Sequence, residues 1–248
     1  MSAALLSAAG VTLSFGGVRA ADGVDVEVET GEFLAIIGPN GSGKTTFLNL
    51  CTGYLRPTAG SIRLEGRDIT GLSPRAIARL GIARAFQIPQ LFAEHSLLEN
   101  VMLAVAAEQG FWRPLRPLDR PAHRKAALPL LELMKLDEHA ERAVSELSEG
   151  IRKLADIALA LALRPKLLLL DEPTSGVSNA EKFALVETLA AALHNENVTA
   201  VFVEHDMEVV RSYADRVLVW DQGRIVADGP PNAILSDPRV LQNVVGVT

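Results

Sequence analysis

The run GPNGSGKTT, residues 38–46, has the residue types and spacing of a phosphate-binding loop. Gly38, Gly43, Lys44 and Thr45 satisfy the pattern G-x-x-x-x-G-K-[ST]. Glycines at these positions let backbone N–H groups turn inward around phosphate oxygens, and a helix starting there adds the positive end of its dipole. Lys44 is placed to reach the β- and γ-phosphates, and Thr45 to offer its hydroxyl to Mg²⁺. Pro39, Asn40, Gly41, Ser42 and Thr46 complete the loop and are expected against the nucleotide. The alternative is a glycine turn that only joins strand to helix. The apolar run before the loop and the helical spacing after it favour phosphate.

A second group of reactive side chains follows another apolar run. Residues 167–170 are all leucine and lead into Asp171 and Glu172, the form of a buried strand whose tip delivers two carboxylates. Asp171 is expected to hold Mg²⁺ through water, and Glu172 to polarise an attacking water as general base. Two adjacent acids at a strand tip could instead cap the next helix.

These groups need strands that stop where the chemistry begins. Residues 33–37 form a continuous apolar run that ends at the glycine loop, and residues 44–52 take up helical spacing. Residues 11–15, 24–28 and 61–64 alternate as strands do and read as a small antiparallel sheet near the N-terminus. Residues 87–148 are helical in character, interrupted by a proline-rich basic stretch, residues 113–125, read as a solvated loop. After Gly150 the pattern predicts a helix to about 163, the strand ending at Asp171, a helix over 180–194 and a strand over 199–203. A short helix and a final strand over 217–220 complete the series. Strands alternating with crossover helices imply a mostly parallel sheet covered on both faces. There is no internal repeat, so the chain holds one nucleotide-binding unit.

Composition narrows the class of function. The 248 residues are 48% hydrophobic, 22% charged and 5% aromatic, the balance of a folded globular chain. A net charge of −6 argues against a general grip on nucleic acid. With one cysteine, Cys51, neither an intrachain disulfide nor a cysteine zinc cage can form. The sequence shows neither a signal peptide nor a run of about 20 apolar residues able to span a bilayer. Service to a membrane would go through a partner.

The order of motifs is more specific than any one of them. The phosphate loop, FQ at Phe86 and Gln87, LSEG at residues 147–150, LLLLDEP at residues 167–173 and EHD at residues 204–206 together resemble the ATP-binding cassette (ABC) family over nearly the whole chain. The resemblance implies an α/β fold: a P-loop NTPase core with a mostly parallel sheet, an N-terminal antiparallel β subdomain and an inserted helical subdomain. It implies a single ABC ATPase domain over 1–248, with 1–87 and 149–248 forming the core and 88–148 inserted. ATP and Mg²⁺ are the implied cofactors, and ATP hydrolysis the activity. By the same resemblance Gln87 is the hinge glutamine that senses Mg²⁺ and the attacking water, and His205 contacts the γ-phosphate. Phe15 falls where an aromatic ring stacks on adenine, although a Phe at a strand end is ordinarily a core residue. Ser148 and Gly150 belong to a signature segment that faces the phosphate loop of a second subunit, so each site is completed only when two subunits close head to tail. Glu149 and Ile151 replace a small residue and a glutamine of the family pattern, and Ser178 stands where Asp or Asn is usual.

Two segments, FQIPQLFAEHSLLENV over 86–101 and DPRVLQNVVG over 237–246, are similar to the ATPases of branched-chain amino acid importers. That group's tail usually ends in Tyr-Leu-Gly, whereas this chain has Val244, Val245 and Gly246. The resemblance implies an importer subunit that energises amino-acid uptake from the cytoplasmic face of the cell membrane. Its implied partners are membrane permease subunits, a second ATPase subunit of the same or another sequence, and, indirectly, a periplasmic solute-binding protein. A related urea, amide or aromatic-acid importer is the alternative. Other readings are a soluble ATP-driven clamp, disfavoured by the single cassette, and a nucleotide-binding subunit with weak catalysis. A GTPase would need the guanine-selecting NKxD, which is absent.

Overall fold

Two sheets and the helices on them hold the reactive loops. The computed structural model describes residues 4–109 and 121–240. Strands β1 (Leu6–Phe15) and β2 (Val18–Val28) form an antiparallel hairpin across Gly16, whose φ of 58° suits a glycine. Next come β3 (Phe33–Ile37), α1 (Lys44–Cys51), β4 (Ala59–Leu64), β5 (Arg67–Asp68), α2 (Pro74–Leu80) and β6 (Ile82–Ala85). Helices α3 (Leu97–Glu108), α4 (Pro121–Leu133) and α5 (Glu149–Ala162) precede β7 (Leu167–Asp171), α6 (Asn179–Asn195), β8 (Thr199–Val203) and α7 (Met207–Tyr213). Strands β9 (Arg216–Asp221) and β10 (Arg224–Gly229) follow. The first sheet has the order β2-β1-β4-β5 and is antiparallel throughout. The second runs β10-β9-β3-β8-β7-β6, parallel except for the β9–β10 pair.

The large sheet is covered on both faces, as its apolar strands require. Ala35 and Ile37 of β3 and Leu168 and Leu170 of β7 face a core shared with α3, α4, α5 and α6. Their neighbours Leu34, Ile36, Leu167 and Leu169 face the opposite core, which contains Phe47, Leu48 and Cys51 of α1 and the inner face of the antiparallel sheet. This alternation is the two-residue period of a strand read at both faces. Residues 88–109 and 121–148 contain the helices α3 and α4 and short 3₁₀ turns, with only an isolated bridge between Ser96 and Ala143.

Several elements differ from the sequence expectation. Neither α2 nor β6 was expected, and the large sheet does not end at β9. β10 alternates exposed and half-buried residues, but its consecutive Ile225, Val226 and Ala227 show no apolar–polar alternation to read. Of the basic stretch at 113–125, only residues 121–125 are described, and they form the first turns of α4 rather than a loop. Residues 113–120 and the tail residues 241–246 lie outside the described residues. Among the described residues no helix is long and apolar enough to cross a membrane.

Candidate functional site

Strand β3 ends at Ile37 and the loop turns at once through Gly38, Gly41 and Gly43, with φ of 153°, 78° and 114°. The turn leaves no room for side chains at its two ends. A Cβ on Gly38 would lie 2.0 Å from the Trp220 carbonyl oxygen, and one on Gly43 2.0 Å from that of Ala20. Gly43 caps α1 without a side-chain acceptor, so the N–H groups at the helix start are free to face an anion. Lys44, the first residue of α1, is buried, and its Nζ donates to the carbonyls of Gly38 (2.7 Å) and Pro39 (2.8 Å). Burial pulls its pKa below the ordinary lysine value, against the opposing pull of the Glu172 and Asp171 charges. Ser42 Oγ is buried without a hydrogen-bond partner, a polar group inside the cradle waiting for one.

The acids arrive from β7. Asp171, its last residue, accepts a hydrogen bond from Thr45 Oγ1 at 3.3 Å through Oδ1, and Oδ2 pairs with Arg84 at 2.6 Å. Arg84, on β6, also donates to Asn49 Oδ1 at 2.5 Å and lies over the Phe86 ring at 4.8 Å. Thr45 and Asp171 thus present oxygen atoms side by side, the donor set that Mg²⁺ takes. Glu172 follows with φ 51°, an uncommon conformation for a residue with a side chain, and its N–H donates to Val203 of β8. Its carboxylate receives Gln87 Nε2 at 2.7 Å on one oxygen and meets His205 Nε2 at 3.0 Å on the other. Lys44, Glu172, Gln87 and His205 come from the segments that follow β3, β7, β6 and β8, at the carboxyl ends of four parallel strands. Open parallel sheets bind ligands at that edge.

Other expected site residues are not hydrogen-bonded into this cluster. Ser148 caps α5, its Oγ accepting the Ile151 N–H at 3.4 Å, and Gly150 lies in the first turn of the same helix. Neither is hydrogen-bonded to the phosphate loop. Phe15 ends β1 with 51% of its surface exposed, and Gly17 of the turn after it, with Val18 and Arg19 at the start of β2, lines a groove beside Pro39, Asn40, Gly41 and Ser42. Thr46 lies in the first turn of α1. Ser178, at the N-cap of α6, donates its hydroxyl to Glu181 in the first turn at 2.7 Å.

Three residues with buried charged side chains, Arg84, Lys153 and Asp156, escaped the sequence reading, and a fourth, Glu204, entered it only as part of a motif. Glu204 belongs to the EHD triplet, and its carboxylate accepts from Thr174 N–H and Oγ1 at 3.0 and 2.7 Å and from His205 N–H at 3.0 Å, tying the loops after β7 and β8 together. For Arg84 and Asp156 the one signal available was a charged residue inside an apolar segment.

A family model described as ABC transporter matches residues 21–175. The chain is 38% identical to the high-affinity branched-chain amino acid transport ATP-binding protein BraF of Pseudomonas aeruginosa, over 99% of both chains. It is 37% identical to the corresponding protein LivG of Escherichia coli, again over 99% of both. Among solved structures, a nucleotide-free ATP-binding cassette from an ABC transporter superposes with a TM-score of 0.87 at 31% identity, covering 99% of this chain and all of the other. The ADP conformation of the cassette MJ1267 gives 0.86 at 32% identity with the same coverage. Fold, ordered motifs and near-full-length similarity agree, and the chain belongs to the ABC transporter family.

Proposed function

We propose that this chain is the ATP-binding and ATP-hydrolysing subunit of an importer that energises amino-acid uptake, branched-chain amino acids first among them. The observation that carries the catalytic part is the Glu172 carboxylate, held between Gln87 and His205 at 2.7 and 3.0 Å beside the Lys44 loop. The solute rests on the names of BraF and LivG, both branched-chain amino acid transport proteins. A urea, amide or aromatic-acid importer is the second reading, since Val244, Val245 and Gly246 depart from the Tyr-Leu-Gly ending of the branched-chain group.

In this reading residues 38–46 wrap the phosphates, and Phe15 stacks on the adenine. Lys44 leaves the carbonyls of Gly38 and Pro39 for the β- and γ-phosphates. Thr45, Asp171 and Gln87 would hold Mg²⁺, directly or through water, and that ion supplies charge neutralisation at the transferred phosphate. Glu172 takes the proton of the attacking water, Gln87 orients that water and His205 donates to the γ-phosphate. Ser148 and Gly150, not hydrogen-bonded to their own loop, serve the nucleotide of a second ATPase subunit, identical or different. Residues 88–148 act as the inserted helical subdomain and the remainder as the core. Membrane permease subunits anchor the pair peripherally at the cytoplasmic face, a periplasmic binding protein delivers the solute, and nucleic acid has no part.

Glu172→Gln tests the core of this. The variant is expected to bind ATP as the native chain does while hydrolysis falls about 100-fold or more, the usual scale for removing a general base. Phosphate release at the native rate would remove Glu172 from that role.

A further inference from the structure

Helix α5 buries two charged side chains against the backbone of the loops that carry Gln87 and Glu172. Lys153, 3% exposed, donates through one Nζ to the carbonyl of Gln87 at 3.2 Å and to that of Glu172 at 2.9 Å. It forms no direct ion pair among the described residues. One turn along, Asp156, 7% exposed, accepts the Phe86 N–H on Oδ2 at 2.9 Å and the Gln90 N–H on Oδ1 at 3.0 Å. The loop after β6 is therefore held at three residues by a single helix, and the same ammonium reaches the residue after β7. Burial opposes the charge on both groups, lowering the Lys153 pKa and raising that of Asp156. Charged groups placed at that cost, each spent on backbone atoms, mark a geometry that must be held.

The atoms they hold matter for the Gln87–Glu172 contact. Glu172 has a left-handed backbone, and its carbonyl is fixed by Lys153. The side chains of Gln87 and Glu172 meet at 2.7 Å, while their carbonyls converge on one nitrogen. Helix α5 is capped by Ser148, five residues before Lys153 and about 7.5 Å along the axis. We propose that Lys153 and Asp156 are positioning residues that set the placement of Gln87 relative to Glu172 and link it rigidly to the Ser148 end of α5. A shift of that end on meeting a second subunit then moves both loops together. The inference rests on Glu172 being the general base.

The test measures ATP turnover and ATP binding separately for the full chain and for Lys153→Met, Lys153→Arg, Asp156→Asn and Glu172→Gln. Lys153→Met is expected to lower kcat about 10-fold or more with the ATP Kd within about twofold. Lys153→Arg, which can still donate to both carbonyls, should recover to within about threefold of native. Asp156→Asn, left with one acceptor oxygen for two N–H groups, should lose about three- to tenfold in kcat at unchanged Kd. Adding Lys153→Met to Glu172→Gln should cost nothing further, since both act on one step. Turnover of Lys153→Met within about twofold of native would overturn the proposal. So would ATP binding that falls in parallel with turnover, or an Arg variant no better than Met. Native hydrolysis by Glu172→Gln would instead remove the reading of the base on which it rests.

Discussion

Arg84 and Asp171 form an ion pair whose side chains are 6% and 5% exposed, and each is the other's opposite charge in that place. Breaking a buried pair from one side strands the other charge, at a cost of about 3–5 kcal/mol. Arg84→Met is therefore expected to lower unfolding stability by about that amount in urea titration. Glu65→Gln, which breaks the pair with Lys166 at 53% and 49% exposure, should change it by about 0–1 kcal/mol. Equal effects would mean that the buried pair is not holding Asp171. At this scale the sequence was uneven. Lys44, Thr45, Asp171 and Glu172 were legible because each sits in a local pattern whose spacing states its chemistry. Arg84 was not, because its meaning depends on a partner 87 residues away. Lys153 and Asp156 act on backbone atoms, which no side-chain pattern records.

Among elements, the turn from β3 into α1 depends most closely on residue type. Gly43 combines a φ of 114° with a neighbouring carbonyl that would lie 2.0 Å from any Cβ. Gly41, at φ 78°, has open space where a Cβ would go. Gly41→Ala should thus cost only the left-handed backbone penalty, about 1–2 kcal/mol, and retain ATP binding. Gly43→Ala must push apart the loop and the β2 backbone at Ala20, and is expected to abolish ATP binding measured by nucleotide titration. Comparable binding by the two variants would contradict the cradle geometry. Elements buried on both faces, such as β3 and β7, were legible as unbroken apolar runs. Helix α2 was missed although Ser73, Pro74 and Gly81 stand at its ends, because seven residues hold too little periodicity. β6 is shorter still and is interrupted by Arg84.

In the whole molecule the large sheet separates two cores, and Cys51 lies fully buried in the one beneath the antiparallel sheet. Burial pushes its thiol pKa up to about 12, so the reactive thiolate is suppressed at neutral pH. Alkylation at pH 8 should be negligible in the native chain and complete in denaturant; rapid native labelling would mean that this core opens locally. The strand order β10-β9-β3-β8-β7-β6 was not legible, because periodicity fixes which residues are buried but not which strands are neighbours. That Ser148 and Gly150 make no hydrogen bond to their own phosphate loop belongs to this scale as well, and the central claim turns on what they meet instead. The most direct measurement is a structure of the Glu172→Gln chain with ATP and Mg²⁺, alone and with its companion ATPase subunit. The account predicts ATP between residues 38–46 of one subunit and 147–150 of the other, with a Ser148 hydroxyl at hydrogen-bond distance from the γ-phosphate. ATP-bound assemblies in which residues 147–150 turn away from every nucleotide would contradict it.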